Sequence, residues 1–154
     1  MVKENYVRKA ILADALELSP KIRKGDREEI MASEGISPLR ALVMPFTYDN
    51  AKIYTIIGTE KEGVIGMFGS NPTQLPEYGV AWLLSSEQLF KHTKQFLKEC
   101  PYWVAQMSQG YEYIYNFVDK RNWKSLKWLQ FLGFEPKEKI NDYGIGKMPF
   151  LLMM

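Results

Sequence analysis

The chain has 154 residues, 46% of them hydrophobic and 25% charged, with a net charge of +2. That balance fits one domain with a real core, residues 1–154, and excludes a disordered chain or a strongly basic nucleic-acid binder. One cysteine leaves no internal disulfide, the first ten residues carry no apolar signal core, and no apolar run nears the roughly 20 residues of a membrane span.

In chain order, Tyr6 to Lys9 is expected to form a short strand. Asp14 and Glu17 have the spacing of a capping box, with a helix from Ala15 that Pro20 should kink or end. Asp26 and Glu29 repeat that spacing and open a helix to about Ser33, stopped by Gly35. Ser37-Pro38 reads as N-cap and first helical residue of a third helix. Asp49-Asn50 is a turn. The run from Ala51 to Gly58 is a β-branched strand, Glu60 to Gly63 a turn, and Val64 to Gly69 the returning strand. Ser70 to Pro76 reads as a loop.

Tyr78 to Leu84 is apolar on both faces and so is placed at the sheet centre, with Trp82 buried against a helix. Ser85 and Gln88 form a further capping box, opening a helix whose face holds Leu89, Thr93, Phe96, Leu97 and Cys100. Pro101 should break that helix, with Trp103, Val104 and Met107 continuing as a second piece. Tyr113 to Val118 is a buried strand, Asp119 to Arg121 a turn, and Asn122 the N-cap of a helix carrying Leu126, Leu129 and Leu132. Gly133 ends it in the left-handed conformation. Two last strands, about Phe134 to Ile140 and Met148 to Met154, flank a bend at Gly144 and Gly146.

The Tyr113–Phe134 stretch, YIYNFVDKRNWKSLKWLQFLGF, resembles the last conserved segment of the GNAT N-acetyltransferase superfamily. With Ile22–Ile30 (IRKGDREEI) and Val80–Leu84 (VAWLL), it is similar to a phage GNAT-like family that includes internal virion protein A of short-tailed phages. The resemblance implies an α/β (α+β) fold: a mixed, mostly antiparallel sheet of six or seven strands flanked by helices, splayed between the fourth and fifth strands. It implies that acetyl-CoA, if bound, lies in that splay, with Leu83, Leu84, Ser85, Ser86, Asn122 and Ser125 at the cofactor.

The residues depart from the enzymatic pattern. The stretch Leu83 to Gln88 has no glycine and no arginine where the family's phosphate loop has both, and Glu87 sets a negative charge there. Seven residues after Asn122, where many members carry a tyrosine acid, stands Leu129. Tyr113 and Tyr115 read as packing groups, His92 as an exposed histidine without an orienting partner, and Cys100 as core. Metal-ligand spacing is absent, and one Cys and one His make no zinc site without carboxylates. Lys120, Arg121, Lys124, Lys127, Lys137 and Lys139 cluster near the signature helix, a face expected to be simply solvated because Glu135 and Glu138 interrupt it. The resemblance and these departures imply a GNAT-fold phage protein with a degenerate acyl-CoA loop, acting through a virion or host protein partner in the virion or host cytoplasm, without nucleic acid. The alternative is an active acetyl-CoA-dependent N-acetyltransferase.

Overall fold

The computed structural model describes residues 6–154. Seven strands form one mixed sheet: β1 (Val7–Lys9), β2 (Lys52–Ile57), β3 (Val64–Pro72), β4 (Tyr78–Ser85), β5 (Tyr113–Asp119), β6 (Pro136–Tyr143) and β7 (Met148–Met153). Their order is β1-β2-β3-β4-β5-β7-β6, and only the β4–β5 pairing is parallel. The helices are α1 (Leu12–Leu18), α2 (Lys24–Ser33), α3 (Pro38–Val43), α4 (Thr93–Ser108) and α5 (Trp123–Phe131), with 3-10 turns at Ser19–Lys21, Met44–Thr47 and Glu87–His92.

Strand alternation divides the core between the sheet faces. Met67 and Leu84, and Val64 on the far side of a β-bulge in β3, pack on one face with Ala15, Leu18, Ile30 and Leu42 of α1 to α3. Phe68 points to the other and packs with Leu89 and with Phe96, Cys100 and Met107 of α4. A third cluster joins Ala81, Val118 and Met153 to Leu129 of α5 and to Phe134. The outer strand β6 is solvent-exposed along most of its length, and its Lys137, Glu138 and Lys139 blunt an open sheet edge.

The fold matches the expected mixed, mostly antiparallel sheet flanked by helices, but several local readings are corrected. Asp14 and Asp26 do not sit at N-caps. They lie one turn inside α1 and α2, whose N-cap positions are Ile11 and Arg23. Glu17 leaves its helix to accept from the Val64 amide. Ser70 to Pro72, read as loop, are paired strand, because β4 extends far enough to hold them. Trp82 is half-buried, its indole N–H donating to Asn71 at 3.2 Å. Pro101 does not break α4, which runs unbroken from Thr93 to Ser108. Proline removes only one amide bond from the helix, and the burial of Phe96, Cys100 and Met107 on either side keeps the helical path.

Gly35 and Gly133 stop their helices at positive φ, as expected. A Cβ on Gly133 would meet nothing, so its demand is purely conformational, with φ at +100°. Gly144, at φ +69°, is also pressed against α2: a Cβ there would lie 2.6 Å from the Ser33 backbone. Gly133→Ala is expected to cost about 1 kcal/mol, the scale of an L-residue forced to positive φ. Gly144→Ala should cost clearly more, read as a lower denaturant midpoint. Equal losses would mean the turn moves freely off α2.

Candidate functional site: a cleft beside a split sheet

Strand β5 changes partners partway along. Its residues Tyr113, Ile114 and Tyr115 pair with Tyr78, Gly79 and Val80 of β4, but from Asn116 onward it pairs with β7. Beyond Val80 the two parallel strands part, which is the expected splay between the fourth and fifth strands. The Glu77 carbonyl takes the Tyr113 amide, so odd-numbered residues of β4 turn their backbone groups toward β5. Leu83 therefore presents its amide and carbonyl to the open splay.

On the α4 face the splay opens into a cleft of ≈ 380 Å³ between the start of α4 and α5. Leu83, Leu89, Phe96, Leu97 and Trp128 form its walls. Phe90, Trp123 and Phe131 stand at its mouth, the last two 62% exposed. Lys124 and Lys127 come from the same helix. A second, smaller hollow lies within the splay and shares Leu83, Ser125 and Trp128 with the cleft; Glu29, Trp82 and Asn116 line it too.

A buried polar network closes the inner end. Arg23 and Asp26 form an ion pair at 2.8 Å, each less than 10% exposed. The Arg23 guanidinium also donates to Asn122 Oδ1 at 2.6 Å and Ser125 Oγ at 3.1 Å. The Asn122 amide group donates to Asp26 Oδ1 at 3.2 Å and Glu29 Oε1 at 3.1 Å. Glu29 Oε1 accepts the Asp119 amide as well, while its second oxygen takes no hydrogen bond among the described residues. Burial pushes the Glu29 carboxyl up to about 8, with the Asp26 charge adding to it. Burial likewise raises Asp26, against the pull of Arg23 and of the Ser85 and Asn122 donors.

This network overturns one reading. Asn122 is at the N-cap position of α5, but its side chain makes no capping bond and is spent on Arg23, Asp26 and Glu29. Arg23, Asp26 and Glu29 were not anticipated as site residues. Their signal lay in the sequence, since the acids stand at the spacing first read as a capping box.

The anion end is also differently built. Ser85 is still in β4; its amide donates to Asp26 at 3.0 Å and its carbonyl accepts from Arg23 at 2.9 Å. Ser86 is the cap, its hydroxyl accepting from the Gln88 amide at 3.2 Å while its own amide bonds Ile65. What it opens is a 3-10 turn, and Gln88 Oε1 is buried without a partner instead of closing a box. Leu84 packs toward α1 to α3, away from the cleft. Of the residues expected at a cofactor, Leu83, Ser85 and Ser125 line the cleft, while Leu84, Ser86 and Asn122 do not.

The remaining candidates are mostly structural. His92, expected to be exposed and unpartnered, is 20% exposed and meets Glu62 at 2.7 Å. Glu62 is held down to about 2, chiefly by the Thr59 amide and then by His92. Cys100 is buried, which pushes its thiol up to about 11. Leu129 is core, and Tyr113 stacks on Tyr78 at 5.3 Å. The basic cluster is partly neutralised: Arg121 pairs with Asp119 and Glu28, Lys124 with Glu87, and Lys137 with Glu135. Among the described residues no group of three or more His, Cys, Asp or Glu side chains is arranged for a metal, and no helix is long and apolar enough to cross a membrane.

Strand order, splay and cleft together define the fold of the GNAT acetyltransferases. Solved structures agree. A GCN5-related N-acetyltransferase from Kribbella flavida superposes with a TM-score of 0.68 at 18% identity, over 96% of this chain and 94% of its own. The ribosomal-protein-S5-alanine acetyltransferase of Vibrio fischeri gives 0.67 at 20% identity, over 99% and 93%. The spermidine N-acetyltransferase of Vibrio cholerae, solved with CoA and spermine, gives 0.60 at 13% identity, over 96% and 92%. No protein-family model and no curated sequence matches the chain.

Asn122→Ala should destabilise the protein by about 2–3 kcal/mol, because it strips partners from buried charged groups. Urea melts check this; a loss below about 0.5 kcal/mol, the ordinary effect of a surface change, would show the network to be solvated. Glu29 adds a pH signature. Between its ordinary 4.5 and about 8 the folded chain holds a proton there that the unfolded chain has lost, so stability falls as pH rises through that window. Glu29→Gln should flatten this decline in melts run across the range, and an unchanged slope would assign it elsewhere.

Proposed function

We propose that this chain is a GNAT-fold protein that acts by binding and not by acetyl transfer, with a cleft descended from an acyl-CoA site whose phosphate end is closed. The carrying observation is the state of that end. A phosphate site needs free amides at a helix N-terminus. Here Ser86 caps the turn, Asp26 and Arg23 occupy the Ser85 backbone, and Glu87 adds a like charge. Leu129 supplies no acid for a leaving thiolate. The resemblance to the phage family supports a place in the virion, with the internal ejection proteins, or on a host protein in the host cytoplasm. It also supports reading 1–154 as one domain.

The test is calorimetric titration with acetyl-CoA and with CoA. No binding is expected at millimolar ligand, and micromolar binding to the parent would overturn the reading.

A second reading, an active N-acetyltransferase, is favoured by one observation. Glu29 lines the hollow inside the splay with one oxygen free and a proton affinity near neutrality, as a general base requires. It predicts release of free thiol from acetyl-CoA when a primary amine is added, lost in Glu29→Gln. On the leading reading neither protein releases thiol above the rate without protein.

A further inference from the structure

The cleft beside α5 has a chemistry of its own. Its walls are Leu83, Leu89, Phe96, Leu97 and Trp128, and its mouth carries Phe90, Trp123 and Phe131. At its inner end the Asp26 carboxylate is engaged by Arg23, Asn122 and the Ser85 amide, and one nitrogen of the Arg23 guanidinium is shared among Asp26, Asn122 and Ser125. Between the apolar walls, amide or phosphate groups would give up their hydration without recovering it. An apolar body would not, and ≈ 380 Å³ lies within the ordinary size of a small-ligand pocket.

The rim is cationic. Lys124 lies 4.2 Å from the centre of the Phe90 ring and has a single carboxylate neighbour, Glu87 at 3.8 Å. Lys127 forms no ion pair among the described residues. Two ammonium groups thus face one carboxylate at the edge of an apolar chamber, which leaves a net positive charge to be met. An apolar chamber with such an edge suits a molecule with a hydrocarbon body and one anionic head.

We infer that the cleft binds a single-chain carboxylate amphiphile, its chain between α4 and α5 and its carboxylate at Lys124 and Lys127. The inference rests on the reading that this cleft is not a nucleotide site. The lysines are exposed or half-exposed on α5, so charge reversal there leaves the core intact.

Trp123 and Trp128 line the cleft, so intrinsic tryptophan fluorescence and calorimetry both report its filling. Decanoate, decanol and CoA are titrated, below micelle formation, into the parent and into the Lys124→Glu, Lys127→Glu double variant. Decanoate should bind the parent saturably and change the fluorescence. The double variant should bind it about tenfold more weakly or worse, the scale of a lost charge-assisted contact, while its decanol binding stays level. Decanoate binding that is absent, or no tighter than decanol, overturns the inference, as does binding indifferent to charge reversal. A thermal melt matching the parent shows that the variant is folded. CoA keeps the two conclusions apart: CoA binding overturns the underlying reading whatever decanoate does, whereas loss of decanoate binding with CoA also silent removes the inference alone.

Discussion

The Arg23–Asp26–Asn122–Glu29 network is the constraint on which the rest of this architecture depends. A sheet that splits between two parallel strands leaves backbone groups without partners, and buried backbone must be satisfied. Here α2 supplies the partners. Asp26 and the Arg23 backbone take the end of β4, Glu29 takes the end of β5, and Asn122 ties both acids to the start of α5. Two carboxylates and a guanidinium are expensive to bury singly. Together they are tolerable because Asp26 has Arg23 as its counter-charge, while Glu29 takes two amide donors and keeps its proton up to about 8. Removing Arg23 would leave Asp26 buried without its counter-charge.

The same network sets what the cleft can do. Its inner end is polar, with the Asp26 carboxylate already engaged by Arg23, Asn122 and the Ser85 amide. The backbone edge at Leu83 stays open, which keeps the geometry of strand addition.

How much of this was legible beforehand follows from the range of each interaction. Elements governed by local periodicity, such as β2, β5 and α5, came out near their expected limits, as did Gly133, whose conformation depends on its neighbours alone. Ser37 capped α3 as read, because N-cap chemistry spans three residues. The failures share one cause. Asp26, Glu29 and Asn122 have side chains suited to capping, and local reasoning assigned them caps. Partners 93 to 99 residues away claimed them instead. The Glu62 partner of His92 and the passage of α4 through Pro101 were likewise decided by packing across the fold, which no window of sequence displays. The cleft was partly visible through Leu83 and Ser125, but its aromatic mouth was not, because Trp123 and Phe131 read as ordinary apolar residues of a helix.

The partner change in β5 has a mechanical meaning. It divides the sheet into two leaves, β1 to β4 and β5 to β7, joined by strand pairing only at Tyr78–Val80 and Tyr113–Tyr115. The first described strand belongs to one leaf and the last to the other. Strand pairing between the two leaves therefore rests on that short seam, with the α2 side chains bridging the strand ends beside it.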